Sequence, residues 1–309
     1  MTKSTDSAIR WLLDSDPSIR WQVMHDLTGE PTDVVAAERA RVAYEGWGAR
    51  ILDLQAPDGD WGVGPYDGRG WTSTTDALFL LRNLGLDPAS ERARRAIALV
   101  REKSTWGPDF GDAPFFEGEE EPCINGRVLA AGAYFGEPSD RLVDRLLGEQ
   151  LGDGGWNCEA PQSRRSSFHS TICVLEGLLE YEKAKGATTE VTEARERAQE
   201  YLLERRMFRS ASTGEVVDPD WTEFAAPTYW QYDVLWGLDH LQCAGIEPDQ
   251  RAGEAIDMVK SKRQSDGRWL LDNRYAGRAL VEMGEDIGKP SRWITLRALR
   301  VLGWYTAGD

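Results

Sequence analysis

The chain has few cysteines, few histidines and too few basic residues to balance its acids, and it has no long apolar run. Four cysteines in 309 residues, with no export signal ahead of them, do not make a disulfide framework, so they read as reduced core or metal-binding thiols. Lysine and arginine number 36 against 52 acidic residues, a net charge of −16. That balance excludes a nucleic-acid partner, because such binding rests on neutralising phosphates with Lys and Arg. The first residues, 1–16, carry a lone early Lys3 and no apolar core of a signal peptide. No stretch approaches the roughly 18 apolar residues of a membrane span. The expected location is the cytoplasm, with no membrane span. No segment shows a convincing strand pattern either.

Tryptophan, in contrast, is abundant, with 13 residues, and 41% of the chain is hydrophobic, enough for a sizeable core. Three tryptophans belong to a repeated motif. Gln55, Asp58, Gly59 and Trp61 recur as Gln150, Asp153, Gly154 and Trp156, and again as Gln264, Asp266, Gly267 and Trp269. Trp61 and Trp156 are 95 residues apart and Trp156 and Trp269 are 113 apart, each close to twice a unit of about 50, a period typical of stacked helical repeats. Worn copies fall midway, at Trp106 and Phe208.

An amphipathic, charge-rich segment precedes each copy, at 36–54, 91–103, 140–150, 192–206 and 250–263. In 91–103, Ala93, Ile97 and Val100 mark one apolar stripe among Arg and Glu, as on a surface helix. A more apolar segment follows each copy, at 74–84, 123–135, 168–181, 229–241 and 291–305, and these read as buried helices. Ser73, Pro122, Ser167, Pro227 with Thr228, and Pro290 with Ser291 are the expected starts, and Gly85, Gly136 and Gly245 the expected stops. With a further pair at 7–14 and 17–27, six helix pairs are expected over a single domain, 1–309. Inner helices without a polar face need cover on all sides, which favours closure into an α/α toroid over an open solenoid of helical repeats.

The Gln-x-x-Asp-Gly-x-Trp repeats between amphipathic and apolar helices resemble the α/α toroids of squalene and other terpene cyclases and of the protein prenyltransferase β subunits. The resemblance covers nearly the whole chain and is strongest over 121–181. It implies the fold and leaves the activity open, because one toroid hosts unrelated chemistries. Two signatures of that group can be sought. The proton-initiated cyclases use an Asp-x-Asp-Asp run, which is missing here; the nearest string is Asp218-Pro219-Asp220-Trp221 in a Pro-bounded loop. The prenyltransferase β subunits hold zinc with an Asp-x-Cys at one inner-helix start and a His at the next. Here Glu121-Pro122-Cys123 opens one apolar segment and His169 lies near the start of the next, 46 residues after Cys123. Glu121 replaces the family's Asp with a longer carboxylate. The β subunits act with a helical α subunit that this sequence does not contain.

The resemblance therefore implies zinc held by Cys123 and His169, with Glu121 or Cys158 completing three ligands and a fourth position open. Cys173, one helical turn beyond His169, is a further candidate. The competing account is that Cys123 and Cys173 are small core residues and that His169 caps or packs its helix. His25 and His240 read as structural. Trp61, Trp156 and Trp269 read as braces between helices. Trp71, Trp293 and the polar residues Asp76, Arg127, Tyr229, Tyr232 and Arg292 lie at or near the inner-helix starts and are candidate substrate contacts, for aromatic faces accept an isoprenoid chain or a carbocation. The acidic run 117–120 reads as a solvated loop. The expected function is a zinc-dependent, prenyltransferase-like or cyclase-like enzyme on an apolar, isoprenoid-like substrate. The alternative is a non-catalytic toroid binding an isoprenoid, a lipid or a peptide. A protein partner is not indicated.

Overall fold

The computed structural model describes residues 3–306, and among them it contains α-helices joined by turns and isolated bridges, with no β-strand. In chain order the helices are α1 (Lys3–Leu13), α2 (Pro17–Val23), α3 (Thr32–Ala40), α4 (Gly46–Asp53), α5 (Thr74–Asn83), α6 (Glu91–Lys103) and α7 (Pro122–Tyr134). There follow α8 (Asp140–Gly148), α9 (Phe168–Lys185), α10 (Thr189–Glu204), α11 (Val234–Cys243), α12 (Gly253–Ser261) and α13 (Arg292–Thr306). The all-α expectation stands, with amphipathic and apolar helices alternating along the chain as an α/α toroid requires. None of the described helices is long and apolar enough to cross a membrane.

Local chemistry sets the boundaries. Ser73, Ser90, Ser139 and Ser167 each cap a helix by accepting a backbone N–H with the side chain, which satisfies one of the donors a helix start leaves open. Gly85, Gly136 and Gly245 follow α5, α7 and α11 with φ of 75°, 89° and 69°, a conformation that suits glycine. Two expected segments differ. The span 36–54 is two helices, because Asp16, which caps α2, also accepts the N–H of Trp47 at 2.9 Å and breaks the chain at Gly46. The span 229–241 becomes helical only at Val234. Asp233 caps α11, and Tyr229 before it has a φ of 51° that no helix allows.

The chain divides into two compact units, each discontinuous in sequence. One comprises Met1–Trp47, Leu202–Tyr275 and Glu282–Asp309; the other comprises Gly48–Tyr201 and Ala276–Val281.

In the second unit α7 and α9 touch backbone to backbone. A Cβ on Gly126 would stand 2.5 Å from the Cys173 carbonyl oxygen, and one on Gly177 2.5 Å from that of Gly126. The return segment 276–281 is tied on through Trp71, whose N donates to Arg278 O at 2.9 Å and whose Nε1 donates to Ala276 O at 3.1 Å.

In the first unit the half-buried Arg300 of α13 lies among Asp239 (3.1 Å), Asp26 (2.7 Å) and Gln22 (2.9 Å). His240 is buried in α11, whereas His25 is exposed and pairs with Asp26.

The repeat has one geometry in both units. Trp61, Trp156 and Trp269 are fully buried, and their Nε1 atoms donate at 2.7 Å to Ile51 O, Leu146 O and Val259 O. Each acceptor is the third residue from the end of its helix, one of the carbonyls that helix cannot use itself. The same tryptophans donate their backbone N–H to Thr74, Thr171 and Thr295 of the following helix. They brace successive helices, as expected. The worn copies do not repeat this bond: Trp106 donates forward to Phe115 O, and Phe208 has no side-chain N–H to offer.

Candidate metal centre

Three potential metal ligands meet at the start of α7. Glu121 is its N-cap residue, Pro122 its first residue and Cys123 its second, an order favoured because Pro suits the first helical position. Cys158 follows the Trp156 turn. One oxygen of Glu121 and the sulfurs of Cys123 and Cys158 lie within 4.8 Å of one another. The sulfurs are 2.8 Å apart, and Cys123 Sγ is 3.6 Å from Glu121 Oε2. Glu121 is exposed and the two cysteines are half-buried.

The two sulfurs are hydrogen-bonded to each other. Their mutual hydrogen bond pulls the Cys158 thiol down from its ordinary value and, together with burial, holds the Cys123 thiol well above it. Ser170 steadies Cys158 from two sides, accepting its backbone N–H at 3.3 Å and bonding its sulfur at 3.3 Å.

The acidic stretch before α7 is not a solvated loop throughout. Glu119 is buried, and its carboxylate accepts the Glu121 N–H at 2.5 Å. Asn125 of α7 accepts Glu119 N–H at 2.8 Å and donates to Glu119 O at 3.0 Å. Arg145 of α8 donates to the carbonyls of Glu119 and Glu120. These bonds fold the run back against its own helix, which charge counting could not show because one partner is the uncharged Asn125 and the other, Arg145, lies 26 residues from Glu119.

His169 is half-buried at the second position of α9 and is not a member of the cluster. The physical reason is helical phase. Successive residues of an α-helix point about 100° apart, and it is Ser170 that faces Cys158. Cys173 is buried within α9, where burial pushes its thiol up, and it too is outside the cluster. Ser170 was legible only as a neighbour of His169.

The other residues expected at a substrate site separate between the units. Trp71, Asp76 and Arg127 belong to the unit that holds the cluster. Asp76 and Arg127 form a buried ion pair at 2.8 Å. Tyr229, Tyr232, Arg292 and Trp293 belong to the other unit. There Tyr232 is fully buried and donates its hydroxyl to Met207 O at 2.7 Å, a structural role. Arg292 pairs with Glu285 at 3.1 Å and lies over the Trp11 ring, and Trp293 is buried against Trp47.

The donor set fits zinc. Two thiol sulfurs and a carboxylate are the ligand types that zinc takes, whereas calcium and magnesium take oxygen alone. Zinc bound there would be held by the sulfurs of Cys123 and Cys158 and the Glu121 carboxylate, with the two thiols deprotonated.

No protein-family model and no curated protein matches this sequence. Among solved structures, the type II terpene cyclase MstE from Scytonema, without ligand, is 18% identical with a TM-score of 0.47, covering 98% of this chain and 97% of that one. A single-residue variant of MstE in complex with geranylgeranyl dihydroxybenzoate, its substrate, is 17% identical with a TM-score of 0.48, covering 99% of this chain and 97% of that one. The likeness is one of helical fold and carries no residue or activity across.

Proposed function

We propose that the chain is a zinc-dependent enzyme whose metal is held by Glu121, Cys123 and Cys158 and which acts on an apolar, isoprenoid-like substrate. The observation that carries this reading is the convergence of the three ligand atoms within 4.8 Å. Three protein ligands leave a fourth position for water or substrate, the arrangement of catalytic rather than structural zinc. Bound there, zinc would activate a thiol or water nucleophile or polarise a leaving group. The chain's own residues fix the ligands: Ser170 orients Cys158, and Asn125 and Arg145 hold the backbone that leads into Glu121. Such supporting bonds set ligand geometry in metal sites. The substrate class rests on the sequence resemblance and the aromatic content.

A proton-initiated cyclase is disfavoured by Asp218 and Asp220. Asp218 accepts the Asp220 N–H at 2.9 Å in a 3₁₀ turn, and Asp220 is exposed. The pair makes a turn and does not present a buried acid.

Elemental analysis of protein purified without added metal tests the reading. One zinc per chain is expected, lost in Cys123→Ser and Cys158→Ser and retained in Cys243→Ser. His169→Ala is expected to keep zinc. Absence of zinc from the wild type would sink the reading. Zinc with tight isoprenoid binding and no turnover would move it to the binding protein.

A further inference from the structure

The two thiols of the cluster are placed for a covalent step of their own. Cys123 is the second residue of α7, and Cys158 stands two residues past the fully buried Trp156. These anchors bring together two sulfurs that are 35 residues apart in sequence and 2.8 Å apart in space, so each thiol has a partner at high effective concentration. A disulfide needs an S–S separation of about 2.05 Å. The remaining approach is small, and Cys158 can supply it because it lies in a turn and not in a helix.

The pair is also within reach of solvent. Both sulfurs belong to half-buried residues, and they border the exposed Glu121. Cys173, in contrast, is 1% exposed inside α9, and Cys243 is an exposed cysteine at the end of α11; neither is a member of the cluster. Thiols that a small oxidant can reach, with a second thiol beside them, are the ones that oxidise reversibly.

We propose that Cys123 and Cys158 form a reversible disulfide when the protein meets a peroxide. One thiol attacks the peroxide O–O bond, which breaks to give a sulfenic acid and water. The second sulfur then attacks the sulfenic sulfur: the S–S bond forms, the S–OH bond breaks, and the hydroxyl leaves as water with the proton of the second thiol. The sulfurs give up two electrons and the peroxide accepts them; a dithiol reductant reverses the change. The disulfide itself does not rest on the metal-centre reading, but its consequence does. Zinc is held by thiolates, so the disulfide would withdraw two of the three candidate ligands and release the metal.

Hydrogen peroxide added to the full chain, as purified and after chelation, tests this, with intact mass, a non-reducing peptide map and bound zinc read on the same samples. The mass is expected to fall by two hydrogens, the map to join the Cys123 and Cys158 peptides, and dithiothreitol to restore both. Bound zinc is expected to be lost in step with the disulfide. Cys243→Ser is expected to respond as the wild type does, and Cys123→Ser and Cys158→Ser to form no internal disulfide. If either of these last variants does not fold, the wild-type map decides. Cys123 and Cys158 left unjoined in chelated wild type, whether untouched, overoxidised or joined to other cysteines, overturn the proposal and leave the metal centre standing. A joined pair in protein that binds no zinc in either state, or that keeps its zinc, upholds the disulfide and removes the two cysteines as metal ligands.

Discussion

Trp156 carries two links at once. Its indole N–H closes an orphan carbonyl at the end of α8, and its backbone N–H anchors to Thr171 near the start of α9. Trp156→Phe keeps most of the ring and removes the 2.7 Å bond to Leu146 O, leaving a buried acceptor unmade and a small void. A loss of about 2–4 kcal/mol is expected, read as a lower urea midpoint at unchanged slope. Trp304, half-exposed and bonded to Ile246 O at 2.8 Å, is the control: water can replace its bond, and Trp304→Phe is expected to cost about 1 kcal/mol or less. Equal losses would mean that ring volume, not the helix-end bond, explains why the motif uses tryptophan. Gln55 and Gln150 extend the same link sideways, each bridging its own Gly carbonyl to the next amphipathic helix, at Ala96 O and Ala194 O. Gln264 reaches only Lys262 O. The third copy therefore keeps the tryptophan and lacks the bridge.

At the scale of the element, the geometry of the candidate ligand cluster depends on how closely α7 and α9 approach. Gly126 lies one turn after Cys123, and any Cβ there would meet the backbone of Cys173 and Val174 at 2.5–2.6 Å. Backbone cannot rotate away as a side chain can. Gly126→Ala must separate the helix that carries Cys123 from the one whose Ser170 holds Cys158. Weaker zinc retention against a chelator is expected, together with a stability loss of about 1–3 kcal/mol. Gly148→Ala, at the end of α8 with open space around it, is expected to be neutral or to stabilise by up to about 1 kcal/mol. Retention of zinc in Gly126→Ala equal to that in Gly148→Ala would show that the helix approach does not set the ligand geometry.

This contact also shows what could be read in advance. Periodicity gave α6 to the residue, because amphipathic phase is local. The Trp turns were legible as braces for the same reason. Three things were not legible: which of His169 and Ser170 faces Cys158, the inward fold of Glu119, and the irregular start at Tyr229. Each depends on a partner far along the chain or on a backbone angle that composition does not encode.

At the scale of the whole molecule, the excess of acids makes pH a lever on stability, and Asp233 sets one step of it. Its carboxyl is 1% exposed and burial pushes it up to about 6, against the pull of N–H bonds from Ala225 and Trp236 and the charge of Arg297. A folded-state value above the unfolded one means that the folded chain holds this proton more tightly. The stabilisation is thus complete below about pH 4 and is lost as pH rises through 6. A shift from 3.8 to about 6 corresponds to something on the order of 3 kcal/mol between those limits. The carboxyls held below their ordinary range, Glu45, Asp140, Asp249 and Glu254, act in the opposite sense but only below about pH 4.5, so the window from 4.5 to 7 separates the two effects. Glu119, also raised by burial, adds in the same sense as Asp233. Relief of acidic self-repulsion adds further as pH falls. Wild-type protein is expected to melt several degrees higher at pH 5 than at pH 7.5. Asp233→Asn carries no titratable proton at that position and is expected to shrink the difference while leaving the contributions of Glu119 and of net charge. A pH dependence identical in the two proteins would show that Asp233 is equally ionised in the folded and unfolded chain, its backbone donors and Arg297 having fully offset its burial.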